Sequence, residues 1–305
     1  MSEPKAQQNR PGDSPHCPLC GCPDLVPGWY GSTRFEDQVY EYRKCAGCAS
    51  FICTPMPDAA ALASMYGPKY LGVNIGITQE SRDKNPQFVL DCLDRAEAPG
   101  VFLDYGCGAG ELLVAARARG WEAIGFEYDA DVAQRISTAT ACLVTHEESR
   151  LLDEAGRPRA DVLNLGDVIE HLTDLDHQFP QLLKLLKPGG ILVAQGPLEA
   201  NPNLFIRVLE LFRLLRPGHI ASMPPYHVLL ATSRGQKTFF DRHGLETIRY
   251  RLCEIMWPAP QGVSRPIVSR NNFLWAIRRL SMALTRLRPR HWGNRYLFEG
   301  RKPVS

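Results

Sequence analysis

The sequence predicts a doubly wound α/β fold that is preceded by a small cysteine-rich ribbon. Short apolar segments alternate with helical ones between residues 100 and 250, and a glycine-rich turn follows the first of them. Six of the ten cysteines fall between residues 17 and 53. Alternating strands and helices favour a mostly parallel sheet that binds its ligands at the carboxyl ends of the strands. A chain of 305 residues can form such a domain and one accessory module.

Residues 1–15 are polar and contain prolines, which predicts a flexible tail and not a signal peptide. We therefore expect a cytoplasmic protein. The densest apolar stretch, Leu204 to Leu215, is too short to span a bilayer. Hydrophobic and charged residues make up 44% and 22% of the chain, which excludes a disordered or fibrous protein.

Two C-x-x-C pairs separated by 24 residues predict a zinc ribbon over residues 16–56. The β-rich run Phe35 to Tyr42 supplies a hairpin between the pairs. Neither pair begins a helix of a βαβ unit, as a redox pair would. Four thiolates then bind one structural zinc ion: Cys17, Cys20, Cys45 and Cys48. Cys22 and Cys53 are expected to take no part. A proline-rich stop follows, and Asp58 is expected to cap a helix.

The run from Val101 to Leu113 reads as a strand, a turn and a helix. The turn has the spacing Asp104-x-Gly106-x-Gly108-x-Gly110. Glycines accept strained dihedral angles and let a ligand approach the backbone. A nicotinamide-binding turn would read G-x-G-x-x-G and seat a pyrophosphate. The acid before the first glycine suits a cationic ligand better than phosphate.

Three later strand-like runs follow in order. Ala123 to Phe126 ends in Glu127, whose carboxylate can accept both hydroxyls of a ribose. Asp161 to Leu165 leads into Gly166 and Asp167. The third strand, Ile191 to Ala194, follows a helix that is expected to end at Lys187, Pro188 and Gly189.

The runs LDYGCGAG, GFEYD, DVIEHL and LLKPGGILVAQGP resemble class I S-adenosylmethionine-dependent methyltransferases. The group they resemble includes ubiquinone-biosynthesis O-methyltransferases and natural-product and sugar methyltransferases, some of which carry an N-terminal zinc ribbon. The resemblance covers about residues 100 to 250. It implies a seven-stranded Rossmann-like sheet over residues 57–305, with an antiparallel last strand near Tyr296 to Arg301 at the edge. It implies these cofactor-binding residues: Asp104, Gly106, Cys107, Gly108, Gly110, Glu127, Tyr128, Gly166 and Asp167.

Two histidines are candidates for the catalytic base because histidine titrates near neutral pH. His227 follows a Pro-Pro-Tyr run in the segment after the fifth strand, where related methyltransferases place a histidine facing the acceptor, and His171 lies in DVIEHL near the cofactor. Tyr66 and Tyr70 are expected either beside the pocket or as packing between ribbon and core. Some relatives bind a metal through a run similar to Asp167, Glu170 and His171, but we do not expect a metal here.

The basic residues are concentrated at the C-terminal end. Residues 257–305 contain ten Lys or Arg and one Glu, although the formal net charge of the whole chain is only +2. Helical insertions that act as lids are predicted near residues 203–222 and 271–290. The apolar stripe of the second insertion consists of Phe273, Ile277, Leu280, Leu284 and Leu287. This helix either docks by its stripe, recognises an anionic or lipid-linked acceptor, or contacts a membrane surface peripherally.

The leading hypothesis is a methyltransferase that acts on a small molecule, with oxygen favoured over nitrogen or carbon. The alternative is a nucleic-acid-binding or RNA-modifying methyltransferase that uses the ribbon and the basic end. Glu36, Asp37 and Glu41 in the ribbon weaken that alternative, so nucleic acid is not an expected partner. The intact glycines and both acids argue against an inactive adaptor. The sequence leaves the oligomeric state open.

Overall fold

The computed structural model describes residues 16–65, 86–215, 220–255, 270–288 and 291–304. Tyr66 and Tyr70 lie outside these residues.

The strands and helices of the described residues are numbered in chain order. The strands are β1 (Leu25–Val26), β2 (Ser32–Phe35), β3 (Gln38–Cys45), β4 (Phe51–Thr54), β5 (Val101–Tyr105), β6 (Glu122–Phe126), β7 (Leu143–Thr145), β8 (Ala160–Gly166), β9 (Leu186–Pro197), β10 (Ile220–Ser222), β11 (Leu229–Leu230), β12 (Glu246–Cys253) and β13 (Arg295–Arg301). The helices are α1 (Ala59–Met65), α2 (Pro86–Asp94), α3 (Glu111–Arg117), α4 (Ala130–Thr140), α5 (Leu175–Leu183), α6 (Leu204–Leu214), α7 (Ser233–Arg242) and α8 (Arg270–Leu287). Short 3-10 helices cover Glu148–Leu151 and Ile169–His171.

The core is a seven-stranded sheet with the order β12-β13-β9-β8-β5-β6-β7. Strands β7, β6, β5, β8 and β9 pair in parallel, and β13 runs antiparallel to β9. The predicted doubly wound sheet with an antiparallel last strand is confirmed. The expectation that β13 forms the edge is wrong, because β12 adds outside it as an antiparallel partner.

The predicted end of the helix before β9 is also wrong. Helix α5 ends at Leu183, and β9 already begins at Leu186. The register of β8 on β9 shifts between Ala160 and Val162, and Gly189 has a φ of 76°. The Pro-Gly-Gly run therefore forms an irregular start of the strand and not the cap of a helix.

Both faces of the sheet are covered, as expected for parallel strands. Successive residues of β5 point into different hydrophobic clusters. Phe102 packs with Phe88 and Leu113 on one face, and Leu103 packs with Phe179 on the other. None of the described helices combines the length and the apolar character needed to cross a bilayer.

The ribbon forms a second sheet with the order β10-β2-β3-β4-β11, and β1 pairs with β3 beside this path. Strands β2 and β3 form the hairpin that the sequence predicts. In α1, the Asp58 carboxylate accepts from the Ala61 amide at 2.9 Å, as expected for a helix cap. Phe51 and Tyr42 of the ribbon belong to the same hydrophobic cluster as Leu103 of the core. The ribbon is thus packed against one face of the core sheet.

Candidate active site

The glycine turn directly follows β5 at the carboxyl edge of the sheet. Gly106, Gly108 and Gly110 have φ angles of 77°, 56° and 77°. This left-handed region costs other residues about 1–2 kcal/mol. The amides of Gly106 and Cys107 donate to the carbonyl oxygen of Phe126 at 2.9 and 3.2 Å. These bonds tie the turn to the end of β6, so the fold itself sets the shape of the turn.

The space around the three glycines differs. A β-carbon at Gly110 would lie 2.7 Å from Thr140 Cγ2, and one at Gly106 would lie 3.2 Å from Val168 Cγ2. A β-carbon at Gly108 would meet no atom within 4 Å. Packing therefore excludes a side chain at Gly110 and crowds one at Gly106, whereas the open side of Gly108 is where a ligand can approach the backbone.

Cys107 lies within this turn but faces the core. Its Sγ would be 2.8 Å from a β-carbon at Gly125, and the residue is buried. Burial, followed by the nearby Asp104 carboxylate, raises the pKa of the Cys107 thiol. Only the backbone of Cys107 is therefore available to a ligand in the turn.

Two carboxylates accompany the turn. Asp104 in β5 is buried, and its Oδ1 accepts from Asn164 Nδ2 at 2.7 Å. Glu127 directly follows β6, and its Oε1 accepts from the Gly108 amide at 2.5 Å. Tyr128 beside it is 84% exposed. The turn thus has one acceptor group at its start and another against its central glycine.

The loop after β8 packs on the glycine turn. Gly166 ends β8, and Asp167 has a φ of 54°, which is unusual for a residue with a side chain. The Asp167 amide donates to the Gln195 carbonyl at 2.8 Å, and its Oδ1 lies 2.7 Å from Nη2 of the buried Arg295. Val168, the next residue, is the neighbour of Gly106 described above. An ion pair and a backbone bond therefore hold this loop against the turn.

The two candidate bases meet at the end of this loop, where His171 belongs to the loop and His227 to the segment between β10 and β11. The rings of His171 and His227 meet edge to face with centroids 4.9 Å apart. His171 Nδ1 lies 2.7 Å from the carbonyl oxygen of Tyr226, to which it donates. His227 Nδ1 lies 3.0 Å from Glu199 Oε2. Because Glu199 engages Nδ1 of His227, Nε2 is the nitrogen that can accept a proton from a ligand.

Nearby carboxylates, of which Glu170 is buried, set the charge of this cluster. Burial, followed by the Asp167 carboxylate, raises the pKa of Glu170 to about 7. Burial opposes protonation of His227, but the charge and hydrogen bond of Glu199 together with the charges of Glu170 and Asp167 outweigh it and raise the pKa of His227 to about 9. His227 is therefore a stronger base than an ordinary imidazole.

The structure does not bring together the three residues considered from the sequence as a metal site, namely Asp167, Glu170 and His171. One nitrogen or oxygen atom of each of Glu170, His171 and His227 lies within 4.8 Å of the other two. Asp167 is outside this group because its carboxylate pairs with Arg295. His227 enters from a distant segment instead, which a local motif cannot reveal.

The four predicted zinc-binding cysteines do come together. Their Sγ atoms all lie within 4.8 Å of one another. The distances are 3.7 Å between Cys17 and Cys48 and 3.5 Å between Cys20 and Cys45. A tetrahedral zinc ion with Zn–S bonds of about 2.3 Å requires sulfur separations of about 3.8 Å. The donor set is thus compatible with zinc.

Helix α8 forms where the periodicity predicts, but only part of its apolar stripe is packed. Three residues of the expected docking stripe are 55%, 53% and 77% exposed, namely Phe273, Leu280 and Leu287. Ser281 and Thr285 are buried instead. Ser281 Oγ accepts from the Phe205 amide of α6 at 3.4 Å, and Thr285 Oγ1 donates to Glu254. The packed face thus contains the hydrogen-bonded hydroxyls of Ser281 and Thr285 beside the half-buried Ile277 and Leu284, whereas the other three stripe residues remain outside.

The partners that hold the candidate residues were not predicted from the sequence. These partners are Asn164 at Asp104, Arg295 at Asp167, Glu199 at His227 and Tyr42 at the His227 carbonyl. Asn164 is recognisable in the sequence as a candidate, because it is a polar residue within the apolar run of β8. The others come from segments distant in sequence and carry no local signal.

A family model described as a methyltransferase domain matches residues 78–248. Among solved structures, the chain is similar to 1,6-didemethyltoxoflavin-N1-methyltransferase from Burkholderia thailandensis, with bound 1,6-didemethyltoxoflavin and S-adenosylhomocysteine. The identity is 14% over 90% of this chain and 99% of that chain, with a TM-score of 0.52. It is also similar to geranyl diphosphate C-methyltransferase from Streptomyces coelicolor, at 16% identity over 80% and 88% of the two chains and a TM-score of 0.44. No curated protein sequence gives a significant match. At these identities the first likeness concerns the fold alone.

Proposed function

Because the chain belongs to the methyltransferase-domain family, we propose that it transfers the methyl group of S-adenosylmethionine to a hydroxyl oxygen of a small molecule. The observation that carries the choice of oxygen is the hydrogen-bonded pair formed by His227 and Glu199. A neutral hydroxyl is a poor nucleophile and gains from a base that removes its proton. A neutral amine can attack without such a base.

The glycine turn and its two acids are assigned to the cofactor. S-adenosylmethionine, when bound, supplies an electrophilic methyl group on a sulfonium. Asp104 is suited to order the cationic amino acid end, and Glu127 to accept from the ribose hydroxyls. The open side of Gly108 supports this placement, because a ligand can lie directly on the backbone there. Gly166 and Asp167 border the same place from β8.

His227 is assigned to the proton that the acceptor must lose. The acceptor oxygen forms a bond to the methyl carbon as the carbon–sulfur bond breaks, and the hydroxyl proton moves to Nε2 of His227. S-adenosylhomocysteine is the second product. Glu199 on Nδ1 orients the imidazole and stabilises its protonated form. His171 lies edge-on to His227 and is the second candidate for this role.

The test is to incubate the full chain with methyl-labelled S-adenosylmethionine and compounds that offer hydroxyl, amino or acidic carbon acceptors. Products are identified by mass spectrometry. We expect the label in methyl ethers. Label found only on nitrogen or carbon would contradict the oxygen assignment, and no transfer to any class would contradict the small-molecule acceptor.

We also propose that the four-cysteine cluster binds a structural zinc ion. The freshly purified full chain is expected to contain one zinc ion per chain by elemental analysis. Replacing Cys45 with serine should remove the metal and make the ribbon sensitive to proteolysis, because short segments with little core depend on such ions. The matched control is Cys22→Ser, since Cys22 lies outside the cluster. Wild-type protein without metal, or equal loss in both variants, would refute the site.

The exposed face of α8 suits an acceptor with an anionic or lipid-linked portion. Phe273, Leu280 and Leu287 are spaced seven residues apart along one line of the helix, beside the exposed Arg279 and Arg286. The sequence between residues 255 and 298 contains no acid. Their charge is therefore not neutralised on this helix, and basic amphipathic helices bind anionic lipid surfaces. We assign this face to that portion of the acceptor.

The full chain is accordingly expected to sediment with vesicles that contain anionic phosphatidylglycerol, and less with pure phosphatidylcholine vesicles. Arg279→Gln combined with Arg286→Gln should weaken the binding, and added salt should do the same. Arg135→Gln combined with Arg150→Gln removes two exposed positive charges elsewhere and should have little effect. Equal losses in the two double variants would show that net charge, and not the α8 face, causes the binding.

The RNA-modifying alternative is not favoured. The hairpin of the ribbon carries Glu36, Asp37 and Glu41, and the first two lie at its tip. A nucleic-acid surface needs a continuous basic patch.

A further inference from the structure

The segment that carries His227 is built into the sheet of the ribbon. Strand β10 pairs in parallel with β2 at one edge, and β11 pairs antiparallel with β4 at the other. Residues 223–228, which we call the strap, therefore cross from one edge of this sheet to the other. Four strand spacings of about 4.8 Å give roughly 19 Å. Seven residue steps reach at most roughly 25 Å, so the strap has little slack.

Strands β2 and β4 of the ribbon hold the two ends of the strap by hydrogen bonds. In β2, Thr33 Oγ1 donates to the carbonyl oxygen of Met223 at 2.5 Å. In β4, the amide of Cys53 donates to the carbonyl oxygen of Val228 at 2.9 Å. The strap is thus held at both ends by hydrogen bonds from the ribbon.

The middle strand binds the strap at the catalytic candidate itself. In β3, Tyr42 Oη donates to the carbonyl oxygen of His227 at 2.9 Å. Tyr42 is buried and packs edge-on against Tyr30 with ring centroids 5.0 Å apart. Burial, followed by the charge of Glu199, raises the pKa of the Tyr30 hydroxyl. Ribbon side chains therefore border the His227–Glu199 pair.

Beyond β11, the chain is anchored to the second cysteine pair. Thr232 Oγ1 donates to the carbonyl oxygen of Cys48 at 2.7 Å, and the Thr232 amide donates to Ser50 Oγ at 3.0 Å. All of these groups are buried. The residue after β11 that anchors the chain is thus hydrogen-bonded to the backbone of Cys48, which belongs to the four-cysteine cluster.

We propose that the ribbon is a positioning element for catalysis, in which Tyr42 holds His227 in place against Glu199 through the strap. The catalytic part of this inference rests on the proposed role of His227 as the base. It assigns the ribbon a task beyond stabilising its own fold. The ribbon sets the position of His227, which is proposed to face the acceptor, and does not act on the glycine turn, which is assigned to the cofactor.

The test compares Tyr42→Phe with wild type in the full chain, and Thr33→Val serves as a second, independent variant. Amides of the strap are expected to exchange hydrogen about tenfold faster in both variants, in proportion to the loss of one hydrogen bond. The imidazole pKa of His227, followed by NMR, should fall from about 9 towards 6.5 as the ring moves away from Glu199. The other groups that face His227 are Glu170, Asp167 and the His171 ring.

The matched control is Arg43→Gln at the neighbouring position of β3. The hydrogen bond of the Arg43 side chain goes to the Leu25 carbonyl within the ribbon, at 2.8 Å, and not to the strap. This variant should change neither strap exchange nor the imidazole pKa. Wild-type strap exchange in both test variants, or a similar change in the control, would overturn the proposal. Hydrogen exchange and the imidazole pKa can be measured without turnover, so they test the positioning by the ribbon independently of catalysis. The role of His227 as the base is tested separately, by replacing His227 in a chain with an intact ribbon.

Discussion

Replacing Gly108 with valine is expected to weaken the binding of S-adenosylhomocysteine at least about tenfold, or about 1.4 kcal/mol. Gly108 has a φ of 56°, its amide binds Glu127, and a β-carbon there would project into open space. If the cofactor product lies on this backbone, the valine side chain occupies the place of the ligand. Calorimetry measures the affinity. Denaturant unfolding should show a loss of only about 1–2 kcal/mol from the left-handed backbone.

Gly156→Val is the matched control for this experiment. Gly156 has a φ of 72°, and a β-carbon there would also meet no atom within 4 Å. It lies in the turn before β8, at the amino end of that strand. The backbone strain is therefore similar, but the cofactor affinity should stay near wild type. Equal losses in the two variants would indicate a general effect of strain, and an unchanged affinity in Gly108→Val would refute the cofactor assignment.

The parts of the fold that were predictable are those encoded by contiguous residues. The buried strands β5, β6 and β8 read as short apolar runs because both faces of a parallel sheet are covered. The place of β13 was not predictable, because it depends on pairing with β12, whose residues carry no mark of that partner. Similarly, the apolar stripe of α8 suggested a packed face, but Ser281 and Thr285 found buried partners in other segments.

The candidate site likewise has one part that contiguous residues predict and another part that they do not. The glycine turn and Asp104 lie within one short run, so their spacing alone indicated the chemistry. The partner of His227 could not be found this way, because Glu199 sits 28 residues away and the two meet only through the strap and the end of β9. Tyr42 lies 185 residues from His227 in the sequence. A local motif was thus enough to propose where the cofactor binds, whereas the residues proposed to face the acceptor come from distant segments.

The second large effect is expected at His227. His227→Ala should lower turnover by about 100-fold or more, the usual scale for the loss of a general base. The affinity for S-adenosylhomocysteine should stay near wild type, because His227 lies outside the glycine turn and its acids. Glu199→Gln keeps the size of the side chain but removes its charge. At a pH above both imidazole pKa values it should reduce turnover, but less than His227→Ala does, because the imidazole remains but is a weaker base.

The assignment of His227 as the base predicts the direction in which the rate changes with pH. Only the neutral imidazole can accept a proton, and the pKa of His227 is raised to about 9. The value of kcat/KM for the acceptor is therefore expected to rise about tenfold per pH unit below that pKa, and to level off above it. In Glu199→Gln the midpoint should move to lower pH, because burial still opposes the charged ring while its main stabilising carboxylate is gone. A midpoint that does not move in Glu199→Gln, or full turnover in His227→Ala, would mean that alignment alone drives the transfer and that His227 is not the base.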